Sequence, residues 1–204
     1  MGFYCQRVFP RLLNFAMRNR ELARYRRRIV GAAQGEVLEI GIGSGLNLPF
    51  YPASAARVVG LDPAPELIRM ARAAAVRAGR EVEFLTGSAE AIPLADASVD
   101  TVVTTWTLCS IDDPAVALRE MRRVLKPGGR LLFAEHGLAP DPGVRRWQHR
   151  LTPLWRPIAG GCRLDRPIAE LIRAGGFELK DFSAEYLRGP KVMTYIYAGS
   201  AEAG

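Results

Sequence analysis

A carboxylate beside a glycine-rich turn is the most informative feature of the sequence. An apolar strand, Val37-Leu38-Glu39-Ile40, runs into three alternating glycines within Gly41-Ile42-Gly43-Ser44-Gly45. Glycine lets the backbone turn sharply and approach a ligand closely. The spacing lacks the third glycine of the dinucleotide-binding GxGxxG motif, because position 46 is leucine. Glu39 would repel a pyrophosphate and attract an ammonium group, so the turn favours a cationic ligand over a dinucleotide.

Further polar segments follow the next predicted strands. Asp62 lies about twenty residues beyond the first glycine, where its two oxygens are expected to accept hydrogen bonds from both ribose hydroxyls. Segment 87–90 is expected to meet an adenine edge, and segment 104–107 brings small polar groups and a large ring to the pocket. The predicted ligand-binding residues are Glu39, Gly41, Gly43, Ser44, Gly45, Asn47, Asp62, Pro63, Ser88, Ala89, Glu90, Thr105 and Trp106.

Candidate residues for catalysis and for a second substrate are fewer. His136 ends the fifth predicted strand, and the ordinary histidine pKa of about 6.5 suits proton removal. The alternative is a histidine that only hydrogen-bonds backbone or ligand. Cys109 is interpreted as a small core residue, because no histidine lies near it in the sequence. The candidates for binding the second substrate are Trp106, Trp147, Trp155 and Arg163.

Composition and cysteine spacing narrow the setting. Cys5, Cys109 and Cys162 are widely spaced and form no CxxC motif, which argues against a disulfide framework and predicts no metal site. A reducing cytoplasm fits best, and no apolar run of about 18 residues suggests a membrane span. The net charge of +7 favours anionic partners or is simply a solvated surface. No nucleic-acid recognition motif is present, so no specific nucleic-acid partner is expected.

Strand-like runs alternate with helical stripes through the middle of the chain. Strands are predicted at 36–40, 57–61, 82–86, 99–104 and 130–135. Two apolar stripes, Leu67, Met70, Ala71, Ala74 and Leu118, Met121, Val124, Leu125, indicate crossover helices. The second helix is predicted to be capped by Asp113 and to stop at Pro127-Gly128-Gly129. This alternation predicts an α/β fold with a doubly wound (Rossmann-like), mostly parallel sheet, whose ligand lies at the carboxyl ends of the strands.

The two ends of the chain add a helix and a hairpin. Apolar residues recur at helical spacing within the first thirty-odd residues, at Phe9, Leu12, Leu13, Ala16 and Met17. This helix is interpreted as a cap over the site, with peripheral contact to an anionic membrane as the alternative. Runs 177–184 and 191–198 predict an antiparallel hairpin at the C-terminal edge of the sheet. The 204 residues then form a single domain, 1–204, with an N-terminal helical cap, 1–33, and a substrate-lid insert, 137–166.

These segments, in this order, resemble the class I S-adenosylmethionine-dependent methyltransferases, with a type 11-like domain. The matching text is LEIGIGSG, GLDPAPELIRMAR and LTGSAEAIPLADASVDTVVTTWTLCSIDDPAVALREMRRVLKPGGRLLFAEH, within Leu38 to His136. It is most similar to ubiquinone/menaquinone and phospholipid methyltransferases. WQHRLTPLWRPIAGGCRLDR, from Trp147 to Arg166, resembles the methyltransferase-like alkyl thiol methyltransferases. The family pattern often has aspartate where this chain has Ser88.

The resemblance implies S-adenosylmethionine as cofactor, with Glu39 and the glycines at its methionine end, Asp62 at the ribose and Ser88 to Glu90 at the adenine. It implies methyl transfer to a small-molecule or lipid-like acceptor, namely a phospholipid, a quinone precursor or a thiol. Two alternatives stay open: a nicotinamide-dependent oxidoreductase with a degenerate fingerprint, and a non-catalytic S-adenosylmethionine-binding module. The acceptor, its attacking atom and the oligomeric state are open at this point.

Overall fold

The computed structural model describes residues 14–203 and folds them around one seven-stranded sheet. Its strands are β1 (Gly35–Ile40), β2 (Ala55–Asp62), β3 (Glu83–Thr86), β4 (Val99–Thr105), β5 (Leu125–His136), β6 (Phe177–Tyr186) and β7 (Tyr195–Ala203). Its α-helices are α1 (Arg20–Ile29), α2 (Pro65–Ala78), α3 (Pro114–Val124), α4 (Pro142–Trp155) and α5 (Ile168–Ala174). The strand order is β3-β2-β1-β4-β5-β7-β6.

The first five strands are parallel, and the last two form an antiparallel hairpin. β1 pairs with β2 and β4, β2 with β3, and β4 with β5, all in parallel. β7 runs antiparallel between β5 and β6. The predicted fold class is therefore confirmed, including the C-terminal hairpin at the edge. The carboxyl ends of β1, β2 and β4 lie side by side, because these strands are parallel neighbours. The strand order reverses between β1 and β4, which is the topological switch point of the sheet.

Central strands are apolar on both faces because helices cover both faces. Successive β1 residues alternate, so that Val37 packs in the cluster with α1 and α2 while Leu38 and Ile40 pack with α3 and α5. Val37, Leu38 and Ile40 are each at most 1% exposed. Alternation places Glu39 on the same face as Val37, so a carboxylate occupies a position that burial would otherwise give to an apolar side chain.

The crossover helices follow the sequence prediction with one shift. Asp113 caps α3 through Oδ1, which accepts from the backbone N–H groups of Ala115 and Val116. The helix ends at Val124, before the predicted stop at Pro127-Gly128-Gly129. In α2 the fully buried stripe is Ile68, Ala71 and Ala75. The predicted stripe, centred on Met70 and Ala74, was therefore wrong by about one residue.

Three predicted boundaries were also wrong. The N-terminal helix is not continuous, because Asn19 caps α1 by accepting from Leu22 N–H at 2.9 Å; Phe9, Leu12 and Leu13 lie outside the described residues. β5 begins at Leu125, before the Pro-Gly-Gly segment, rather than at residue 130. The last strand begins at Tyr195, because residues Lys191–Met193 form a 3-10 turn. Within residues 14–203, no helix combines the length and apolarity needed to cross a membrane.

Candidate functional site

Four buried polar residues lie together near the ends of β1 and β2. We call this group the β1 end of the site: Glu39, Asn47, Tyr51 and Asp62. Glu39 is 1% exposed. Asn47 Nδ2 donates to Glu39 Oε1 at 2.8 Å and to Thr105 Oγ1 at 2.9 Å, and Tyr51 Oη donates to Glu39 Oε2 at 2.7 Å. Both amide protons of Asn47 are thus used, while its buried Oδ1 acceptor has no partner. Sequence reasoning missed Tyr51, which lies outside the glycine motif.

Burial controls the ionisation of Glu39. Loss of water raises the pKa of Glu39 to about 7, against the opposing effects of the Tyr51 and Asn47 hydrogen bonds and of the Arg26 charge. Burial also lowers the pKa of Arg26 to about 10, which leaves the guanidinium charged at neutral pH. The β1 end therefore combines a carboxylate that ionises near neutrality with an unpaired oxygen acceptor, which is a donor set for a cationic group.

The glycines of the turn differ in the space around them: Gly41 is packed against a side chain, and Gly43 faces open space. Gly41 has φ +68°, and a Cβ there would lie 2.3 Å from Thr107 Oγ1. Gly43 has φ +56°, and a Cβ there would meet nothing closer than Gly41 O at 3.8 Å. Positive φ favours glycine at both positions. The space above Gly43 is therefore free of atoms from the described part of the chain at the position where the motif predicts a ligand.

Asp62 holds this turn in place. Its Oδ2 accepts from Gly43 N–H at 3.0 Å and its Oδ1 accepts from Ala64 N–H at 2.8 Å. A carboxylate has about four lone-pair positions, so each oxygen retains acceptor capacity for a ribose hydroxyl. Asp62 is 5% exposed, and burial raises its pKa. Pro63, which follows it, is exposed.

The Ser88 to Glu90 segment forms a self-contained turn. Ser88 Oγ donates to Glu90 Oε2 at 2.8 Å and accepts from Glu90 N–H at 3.1 Å, while Glu90 Oε1 accepts from Asp113 N–H at 2.6 Å. These side chains fix the turn against the start of α3. Ala89 is buried between them.

The turn after β4 connects the β1 end to the rest of the site. Trp106 has φ +52°, an uncommon conformation for a bulky residue. The turn is held by Glu135, which is fully buried and accepts from Thr104 Oγ1 and from the N–H groups of Thr107 and Leu108 at 2.8 to 3.1 Å. Burial raises the pKa of Glu135 to about 7. Glu135 therefore positions the turn.

Arg26 of α1 covers the ring of Trp106. Its Cζ lies 4.6 Å from the ring centroid, and its Nη1 donates to Met17 O at 2.9 Å. Arg26 is 5% exposed, so this arginine is not part of a solvated basic surface. The N-terminal segment also meets the glycine turn, because Ser44 Oγ donates to Asn14 Oδ1 at 2.8 Å.

Beyond this turn lies a second group, which we call the lid end of the site: Cys109, His136, Trp155, Cys162 and Arg166. Donor atoms of Cys109, His136 and Cys162 all lie within 4.8 Å of one another. Cys109 is buried, as its interpretation as a core residue predicted, but the fold also brings His136 and Cys162 close to it from segments that are distant in sequence. His136 is 6% exposed and its Nε2 has no hydrogen-bond partner. The Cys109 thiol lowers the pKa of Cys162, and the same contact with burial raises that of Cys109.

The lid insert contributes two buried donor groups. Trp155 Nε1 and Arg166 Nε and Nη1 are buried without partners, while Arg166 Nη2 donates to Ile111 O. Arg163, the predicted acceptor-binding residue, instead pairs with Asp165 at 3.3 Å and is 42% exposed at its side chain. The guanidinium with unused donors at this end is that of Arg166.

The tryptophans are not gathered into one wall. Trp147 is 56% exposed and lies near Arg150, in an open groove of about 600 Å³ that shares no residue with either end of the site. Among residues 14–203, no tryptophan ring packs on another tryptophan ring. Trp106 and Trp155 therefore belong to the site's two ends, and Trp147 to a separate surface.

Comparison with known proteins agrees with this geometry. Residues 38–133 match the methyltransferase domain family. Human thiol S-methyltransferase TMT1B is 37% identical over 177 residues, which cover 79% of this chain and 72% of that protein. The ubiquinone/menaquinone biosynthesis C-methyltransferase UbiE of Rubrivivax gelatinosus is 36% identical over 61% of this chain and 48% of that protein.

Solved structures show the same fold. The crystal structure of YcgJ from Bacillus subtilis superposes with a TM-score of 0.68 at 27% identity, covering 81% of this chain and 71% of that one. The sheet order, the glycine turn after β1 and the acidic residue after β2 thus occur in a chain whose sequence and structural relatives are methyltransferases. The chain belongs to the class I S-adenosylmethionine-dependent methyltransferases.

Proposed function

We propose that this enzyme transfers the methyl group of S-adenosylmethionine to the sulfur of a small thiol. The observation that carries the proposal is the set of unpartnered buried donors at the lid end, Trp155 Nε1 and Arg166 Nε and Nη1. Buried donors without partners are rare, and a bound ligand, a water or an ion can satisfy them. These donors match an anionic acceptor such as a thiolate, and the human relative with 37% identity is named a thiol S-methyltransferase.

The β1 end is suited to hold the cofactor. Glu39 and the free Oδ1 of Asn47 would accept from an α-ammonium, and Asp62 would accept from the ribose hydroxyls. The open backbone at Gly43 admits the chain between them. Because Ser88 and Glu90 bond each other, we infer that their turn meets the adenine mainly through its backbone. When bound, S-adenosylmethionine supplies the methyl group on an activated sulfonium.

The lid end is suited to prepare the acceptor. A free thiol has a pKa of about 8.5, and the Arg166 guanidinium would favour the thiolate by direct charge interaction. The indole N–H of Trp155 would orient the sulfur by a hydrogen bond. Removal of water from the acceptor strengthens both effects. The acceptor thiol would then release its proton to solvent before the site closes, so that no separate base is required. The base role predicted for His136 stays a prediction.

We infer that the N-terminal helical cap, 1–33, covers the cofactor and that the insert 137–166 covers the acceptor. The Asn14 to Ser44 hydrogen bond and the Arg26 to Trp106 contact support the first role. The lid-end donors of Trp155 and Arg166 support the second. Contact with a membrane surface through the N-terminal helix stays a prediction.

The test is a transfer assay with a tritium-labelled methyl group. The purified chain is given three acceptor classes: small alkyl and aryl thiols, quinone precursors and aminophospholipids. We expect thiols to be labelled at least about tenfold faster than either other class. Preferential labelling of a quinone precursor or a phospholipid would contradict the proposal, and cofactor binding without any turnover would indicate a non-catalytic module.

A further inference from the structure

Three metal-ligating side chains converge at the lid end. The thiol sulfurs of Cys109 and Cys162 and a ring nitrogen of His136 lie within 4.8 Å of one another. Each comes from a different part of the fold: the turn after β4, the last residue of β5 and the end of the lid insert. Because the segments are distant in sequence, no spacing motif announces the cluster.

We propose that Cys109, His136 and Cys162 form a binding site for a divalent transition metal of the zinc type. Two sulfurs and one imidazole nitrogen are the donor set that zinc prefers. Zinc lies about 2.3 Å from sulfur and about 2.0 to 2.1 Å from nitrogen. Tetrahedral ligands at those distances are about 3.5 to 3.8 Å apart, so side-chain movements of about 1 Å bring the three atoms into range.

Burial and unused bonding capacity support the site independently. Cys109 is 3% exposed and His136 is 6% exposed. His136 Nε2 is buried and has no hydrogen-bond partner, so a metal would satisfy an atom that the chain itself leaves unpaired. The two thiols release their protons to solvent on binding, and two thiolates then balance the charge of the cation. No net charge is therefore buried next to Arg166.

Metal binding would connect the lid to the core. Arg163 N–H already donates to Cys109 O at 2.9 Å, which places the end of the insert against the turn after β4. Three protein ligands leave a fourth coordination position open, as in catalytic zinc sites. This proposal does not depend on the identity of the methyl acceptor.

The experiment is a metal titration of the full chain, reduced and stripped of metal, without any acceptor. A Cys5→Ser background restricts the thiolate signal to Cys109 and Cys162. Co²⁺ is expected to give the visible and charge-transfer bands of a tetrahedral cobalt thiolate, and Zn²⁺ is expected to displace it. Cys162→Ser and His136→Gln are expected to weaken Zn²⁺ binding by more than about tenfold, since even outer-shell changes have effects of that size.

His149→Gln is the matched control. The chain has two histidines, and His149 is half exposed and bonded to Asp165 at 3.0 Å. Its replacement is expected to leave Zn²⁺ affinity unchanged, and thermal unfolding without metal checks that each variant is folded. The proposal is wrong if the cobalt thiolate bands do not form, or if His136→Gln and His149→Gln bind Zn²⁺ equally. A Cys109–Cys162 disulfide in fresh protein, with no metal uptake after reduction, would also overturn it.

Discussion

At the β1 end of the site, a buried carboxylate lies beside the unpartnered oxygen of Asn47, whereas at the lid end the unpartnered atoms of Trp155 and Arg166 are donors. Under the proposed function, the first arrangement would bind the cationic end of the cofactor and the second would bind an anionic acceptor. The turn after β4 separates the two ends, and Glu135 anchors it from beneath.

The two ends also differ in how far the chain satisfies its own polar groups. At the β1 end the chain satisfies most of its polar groups itself, and Glu39 accepts from both Asn47 and Tyr51. That end is therefore preorganised before any ligand binds. At the lid end the chain leaves several donors unsatisfied, and unsatisfied buried groups destabilise the protein by about 1 to 3 kcal/mol each. Ligand binding would recover this free energy.

Of the variants that test the difference between the two ends, Glu39→Gln is expected to have the largest effect. Loss of the carboxylate is expected to raise the Kd for S-adenosylmethionine by about 10- to 100-fold at neutral pH, because a charged hydrogen bond contributes about 1.5 to 3 kcal/mol. Isothermal titration measures this. Glu36→Gln is the control, because Glu36 lies on the same strand but is 35% exposed at its side chain and paired with Arg57. This variant is expected to bind the cofactor normally.

The pH dependence sharpens the same test. The pKa of Glu39 in the folded protein is about 7, so the carboxylate is neutral in acid and gains its charge as pH rises. Affinity for the cofactor ammonium is therefore expected to fall as pH drops from about 7 to about 5.5, by roughly tenfold. Glu39→Gln should give a flat profile over that range. A sloping profile in the variant would assign the titration to another group.

Arg166→Gln tests the opposite end. Removal of the guanidinium is expected to raise KM for the thiol by about tenfold, through loss of a charge-assisted contact, while Kd for the cofactor stays unchanged. Arg163→Gln is the matched control, because that guanidinium pairs with Asp165 in the same segment. If both variants raised KM equally, Arg166 would contribute no more to acceptor binding than the surrounding basic surface does.

The features that could be predicted from the sequence are formed by residues close together in the chain. Glu39, the glycines and Asp62 each belong to a short strand-and-turn pattern whose geometry is fixed by a few neighbouring residues. The parallel sheet followed from alternation of strands and helices for the same reason. The shift of the α2 stripe shows the limit: a Cβ on Gly45 would lie 2.9 Å from Ala74 Cβ and 3.1 Å from Ala71 Cα, so α2 packs directly against the glycine turn. This tertiary contact sets the rotation of the helix.

What the sequence did not predict depends on distant segments. Cys109 and Cys162 meet only because the lid insert folds back on the turn after β4. Arg163 and Arg166 are three residues apart in a basic segment, and periodicity gave no reason to prefer one. The structure separates them, since Arg163 finds Asp165 while Arg166 is turned inward. Tyr51 and Arg26 likewise join the β1 end from outside its motifs.

Arg26→Met is the smallest expected change, and it tests whether α1 belongs to the β1 end. The guanidinium lies over Trp106 and its charge favours the ionised form of Glu39. Loss of the cation–π contact is expected to destabilise the protein by about 1 kcal/mol, which lowers Tm by about 2 to 4 °C. The pKa of Glu39 should rise, so that the pH profile for cofactor binding moves to higher pH. Arg27→Met, at an exposed neighbouring position, should change neither, and an unmoved profile in Arg26→Met would separate α1 from the electrostatics of Glu39.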